Sequence, residues 1–232
     1  MAGEDLNSLI LKELKHMPKG GRYSTSSYAK IKLESSAHFE SGKLFILPAA
    51  ASPSFCSGAT YLVFIKTIEA LRERGDLNLE YATLEQLIVR DQHDGEGIWG
   101  RWNANGPGTA RLFYELGLGS NFTSLEQAQP GDFMKIFWTN QVGKSESGHS
   151  VIYLGHKKKG GIEYVRYWSS NIPVGYSEKE VPITKIANMI FSRLETPANL
   201  SRVATLPPSD PYLASLLSKR SSFAEAAKKC GM

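Results

Sequence analysis

Pro53-Ser54-Phe55-Cys56-Ser57-Gly58-Ala59-Thr60 is the stretch whose reading decides the fold. Directly after it, Tyr61, Phe64, Ile65, Ile68 and Leu71 recur at helical spacing, an apolar stripe that ends near Gly75. The pattern predicts a loop that delivers Cys56 to the first turn of a buried helix. Unpaired N–H groups and the helix dipole at that position favour a thiolate, so the thiol pKa falls. A cysteine so placed is equally a small buried apolar residue, and this stretch alone leaves both readings open.

Downstream, the turn Gln129-Pro130-Gly131-Asp132 leads into Phe133-Met134-Lys135-Ile136-Phe137-Trp138, which reads as a strand. A polar loop from Asn140 to Gly148 then reaches His149, and Ser150 to Gly155 reads as a second strand. After a turn at Lys157 to Gly161, Ile162 to Trp168 reads as a third, closed by Ser169, Ser170 and Asn171. Register about that turn brings His149 opposite residues 168–170, where a polar side chain can orient its imidazole. A thiol at a helix start, a histidine at a strand start and a polar orienter make a Cys–His–Asn constellation.

Here the chain resembles the papain-like cysteine hydrolases of the bacterial cell wall, the NlpC/P60 and CHAP families. The matching residues are Cys56-Ser57-Gly58, Pro130-Gly131-Asp132, and Gly148-His149 with Val151-Ile152-Tyr153-Leu154-Gly155. They fall between Ser54 and Asn171, about half of the 232 residues. The resemblance implies an α+β fold with a papain-like core, its nucleophile helix packed on an antiparallel sheet. It implies cleavage of peptidoglycan amides (stem peptide, cross-link or sugar–peptide bond) through a thioester, with no cofactor and no metal. Cys56 would be the nucleophile and His149 the base, with Ser169 or Asn171 as orienter. The chain departs from the pattern in carrying Phe55 where NlpC/P60 members usually have aspartate, and a serine is an unusual orienter. Asn171 is chemically better suited, since its carbonyl oxygen can accept from an imidazole N–H.

Length and composition fit one domain, 1–232, with a core at about 41–195 and helical extensions at 4–17 and 212–229. The extensions read as an amphipathic helix from Glu4 to Met17 and, beyond the break at Pro207-Pro208, a helical segment from Tyr212 to Lys229. The net charge of +4 is mild: it suits anionic wall polymers, though RNA or a membrane surface would attract it too. Peptidoglycan is the expected partner, with an inhibitor or immunity protein possible and no nucleic acid. No apolar run is long enough to span a membrane and no signal peptide opens the chain, so a periplasmic or extracellular location requires an export signal outside this sequence or another route. Two cysteines make no disulfide framework, and Cys230 reads as part of a mobile tail.

Arg90 to Gly108 is the most unusual stretch outside these motifs. Trp99, Trp102 and Asn103 among glycines suit substrate recognition, by stacking and amide hydrogen bonds; alternatively the tryptophans anchor a long loop. Asp91, His93, Asp94 and Glu96 raise a metallohydrolase as a rival, without the spacing of a known metal motif. Thr83-Leu84-Glu85-Gln86 reads as a capping box. Two further functional readings stand beside the hydrolase: a catalytically inactive wall- or glycan-binding protein on the same scaffold, and a secreted antibacterial amidase toxin.

Overall fold

The structure, a computed structural model, describes residues 5–232. Glu4, the start of the expected N-terminal helix, lies outside the described residues, and helix α1 runs Leu6–Lys15. There follow β1 (Gly20–Gly21), α2 (Ser27–Glu34), the hairpin β2 (Ala37–Glu40) and β3 (Lys43–Ile46), and the long helix α3 (Cys56–Glu73). Three short helices, α4 (Tyr81–Glu85), α5 (Gly97–Asn103) and α6 (Gly108–Leu116), precede strands β4 (Gly119–Phe122), β5 (Phe133–Phe137) and β6 (Val142–Gly143). The chain continues through β7 (Gly148–Lys159), β8 (Ile162–Asn171), β9 (Gly175–Pro182) and β10 (Asn188–Leu194). It ends in α7 (Pro211–Ser215), β11 (Arg220–Ser221) and α8 (Phe223–Lys229).

The fold is mixed α+β around a seven-stranded antiparallel sheet of order β1-β9-β8-β7-β5-β10-β4. Helix α3 packs on β7 and β8 with one side and meets α1, α5 and β3 with others. It is therefore buried round most of its circumference, which explains why its sequence is apolar beyond a single stripe. Among the described residues no helix is long and apolar enough to cross a membrane.

Trp102 joins Phe64, Phe113 and Phe133 in an aromatic cluster that couples α3, α5, α6 and the sheet. A buried tryptophan of this kind contributes on the order of 3–5 kcal/mol. Asp132 fixes the start of β5. Its carboxylate is fully buried and takes both Arg193 nitrogens at 2.9 and 2.8 Å, the Asn7 amide at 2.8 Å and the Gln129 N–H at 2.8 Å. Gly131 beside it has φ +101°, and a Cβ there would lie 2.7 Å from the Asn7 carbonyl oxygen. The Pro-Gly-Asp turn thus ties α1, β5 and β10 together.

Several expectations are corrected. The C-terminal segment is not one helix: α7 and α8 are separated by β11, which pairs with β6. Cys230 is no mobile tail but a buried, free thiol in an apolar cluster with Phe137 and Ile190. Thr83 caps nothing, because α4 already begins at Tyr81 with Glu80 as its capping position. The turn between β7 and β8 is tighter than expected, and Lys157 to Lys159 belong to the strand.

Candidate active site

The loop before α3 delivers Cys56 by a chain of specific contacts. The backbones of Ser54 and Tyr23 form a parallel bridge, Ser24 N–H donating to Ser54 O and Ser54 N–H to Arg22 O. The buried Ser54 hydroxyl donates to Ser170 Oγ at 2.8 Å, which fastens the loop to β8 one residue before Asn171. At the helix start, the Trp102 indole N–H donates to Ser57 O at 3.2 Å and the Ser57 hydroxyl to Asn103 Oδ1 at 2.6 Å. Cys56 is left partly exposed as the first residue of α3.

His149 reaches its orienter through a β-bulge. Near the β7–β8 turn the register pairs Gly155 with Arg166; past the irregularity at Leu154 it pairs Ile152 with Trp168. Continued three residues, this second register sets His149 across from Asn171, whereas the first would have offered Ile172. His149 Nε2 lies 3.0 Å from Asn171 Oδ1. The amide orientation is decided by its other end: Asn171 Nδ2 donates to the carbonyls of Ser177 at 2.7 Å and Ser169 at 3.2 Å, which can only accept. Oδ1 therefore accepts from the His149 Nε2–H, which leaves Nδ1 as the nitrogen that can exchange a proton with the thiol. The ring is held between Trp138, stacked at 6.4 Å between centroids, and Tyr167, edge-on at 5.6 Å.

Ser169 makes no hydrogen bond to the His149 ring. Its hydroxyl donates to Ser150 O at 2.7 Å, so it holds the residue next to the histidine and leaves the orienting position to Asn171.

The Cys56 thiol is lowered to about 7 by opposing effects. Burial, the largest, pushes it up; the His149 hydrogen bond and charge, the Ser150 N–H and the Lys135 ammonium outweigh it. Tyr23 lines the same cleft, and burial together with the neighbouring Cys56 holds its phenol well above the ordinary tyrosine range. Tyr23 is thus a protonated O–H donor beside the thiol.

Cys56 and Tyr23 border a cleft of about 350 Å³ that also receives Asn103, Lys135, Glu146 and the two neighbours of His149, Gly148 and Ser150. Lys135 Nζ lies 2.7 Å from Glu146 Oε1, and Glu146 Oε2 accepts from the N–H groups of Gly106 and Gly143. Trp99 and Trp102, read as substrate-stacking residues, are 5% and 1% exposed and belong to the core. Helix α5 turns both rings inward against Tyr61. Of that group only Asn103 stands in the cleft. Asp94 and Glu96 accept from the backbone of Asn105 and His93, and among the described residues no group of three or more His, Cys, Asp or Glu is arranged to hold a metal ion.

Sequence reading missed Tyr23, Trp138 and the cleft role of Lys135. Tyr23 carries no local signal, since a bridge across 31 positions brings it to Ser54. Lys135 carried one: it is the single charged residue in the otherwise apolar β5. Comparison with protein-family models, with curated proteins and with solved structures gave no match to this chain.

Proposed function

We propose that this chain is a papain-like cysteine hydrolase of the NlpC/P60 or CHAP type, cleaving amide bonds in peptidoglycan in the periplasm or outside the cell. The observation that carries the reading is His149 Nε2 held 3.0 Å from the buried Asn171 Oδ1, beside a thiol that His149, Ser150 and Lys135 lower to about 7. A cysteine kept only for packing needs neither.

In this reading the Cys56 thiolate attacks the scissile carbonyl carbon and forms a tetrahedral adduct. Its oxyanion is met by the Cys56 backbone N–H at the start of α3 and by the Tyr23 hydroxyl. The His149 imidazolium passes its Nδ1 proton to the departing amine, the C–N bond breaks, and a thioester remains. Water, deprotonated by the now neutral His149, attacks the thioester; the carboxylic acid leaves and the thiolate–imidazolium pair is restored. Asn171 accepts the Nε2–H in both the neutral and the protonated ring, so proton exchange stays on Nδ1.

The test is digestion of purified peptidoglycan by wild type and by Cys56→Ala, with fragments identified by mass spectrometry. New amide-cleavage products from the wild type alone sustain the reading, and their masses name the bond. Binding to the sacculus with no products from either protein replaces it with a binding role.

A further inference from the structure

The cleft does not end at Cys56. A second chamber of about 500 Å³ opens from it, and Lys30, Asp94, Asn103 and Leu217 line both. Its walls carry Lys30 and Glu34 from α2 and Arg90, Asp91 and Asp94 from the segment before α5. Leu217, an exposed side chain just before β11, lies where the two spaces meet.

The five charged side chains of these walls, two cationic and three anionic, form no ion pair, although ion pairs occur elsewhere over the described residues. They are nevertheless close enough to sense one another. Burial and the Asp91 charge raise the Glu34 carboxyl while Lys30 opposes them, and burial raises Asp94 against the pull of the Asn105 N–H, Lys30 and Lys135. Charges of both signs therefore surround one concavity without pairing one another, and only Asp94 among them accepts a backbone N–H, that of Asn105. Such an array recognises a ligand that is itself of both signs, because each unpaired charge gains a partner only when the matching one is present.

We propose that this chamber is a subsite for a zwitterionic portion of the substrate. A free ammonium sits against Glu34 and Asp91, and a free carboxylate sits against Lys30 and Arg90. Its position relative to the scissile amide rests on the hydrolase reading; the recognition itself does not.

The experiment is calorimetric titration of full-length Cys56→Ala with the tripeptide Ala-Gln-Ala, whose only charges are its ends, and with its N-acetylated, C-amidated and doubly blocked forms. Each block is expected to weaken binding about tenfold. Arg90→Gln should abolish the sensitivity to amidation, and Asp91→Asn the sensitivity to acetylation. Equal binding of all four peptides, or none by any, overturns the proposal. A parallel turnover assay offers wild type muropeptides with free and with chemically blocked ends. Cleavage of both at one rate removes the chamber proposal and leaves the hydrolase; discriminating binding with no turnover does the reverse.

Discussion

The chain holds its two thiols in opposite states. Burial is the largest influence on both and pushes both upward, yet Cys56 is lowered to about 7 while Cys230 is raised to about 12. The difference lies in the company. Cys56 receives His149, the Ser150 N–H and the charge of Lys135. Cys230 has only Arg111 on its side, opposed by Asp210 and Glu115. Burial alone makes a cysteine inert, and a reactive one needs partners that outweigh it.

The sharpest way to break this contrast is to delete each sulfur. Cys56→Ala should lower amide hydrolysis by at least about 10³-fold, because the remaining groups retain only binding and oxyanion stabilisation. Cys230→Ala should leave kcat/KM within about twofold, since it lies in an apolar cluster away from the cleft. Comparable losses in both variants, measured on one peptidoglycan preparation, would dissolve the distinction.

Next in size is the orienter. Asn171→Ala frees the imidazole to rotate and to change tautomer, with an expected fall in kcat of about 10²-fold at little change in KM. Ser169→Ala loses only its bond to Ser150 O and should cost less than Asn171→Ala. A larger loss for Ser169→Ala would reassign the role.

The pH profile of alkylation reads the same contrast without any substrate. A thiol lowered to about 7 is mostly protonated below that pH and mostly thiolate above it, so the iodoacetamide rate at Cys56 should rise through pH 7 and level off. In His149→Ala the strongest opponent of burial is gone, and the midpoint should move above the ordinary thiol value of about 8.5. Native Cys230 should stay unlabelled across this range. A Cys56 midpoint unmoved by His149→Ala would refute the pairing.

The candidate site was half legible in the sequence, for physical reasons. Cys56, His149 and Asn171 could be found because each occupies a boundary that local pattern marks: a helix start, a strand start and a strand end. Their pairing was misplaced: centring the turn on Lys157 to Gly161 set His149 opposite residues 168–170. The turn sits at Gly160-Gly161 and, past a bulge at Leu154 that shifts the register by one, His149 lies across from Asn171. Trp99 and Trp102 misled because composition cannot say which face a short helix turns inward. Tyr23 was invisible, since only the tertiary fold brings it to the thiol. In the C-terminal segment the apolar positions suggested one helix, but pairing of Arg220 and Ser221 with β6 divides it.

The smallest expected effect concerns stability. Cys230 fills a corner between Ala110, Phe137, Ile190 and Ala226, where its sulfur acts as a small apolar group. Cys230→Ala removes one heavy atom and leaves a void too small for water, at a cost of about 1 kcal/mol. Thermal unfolding should therefore shift by a few degrees while the Cys56 alkylation profile stays in place. The α8 helix meets the sheet here, and the Asn121 side-chain amide donates to the backbone Cys230 O at 3.1 Å, a bond the substitution preserves. If Cys230→Ala instead moved the Cys56 midpoint, the two thiols would be coupled through the sheet, and the contrast drawn from their separate surroundings would have to be rebuilt as one connected system.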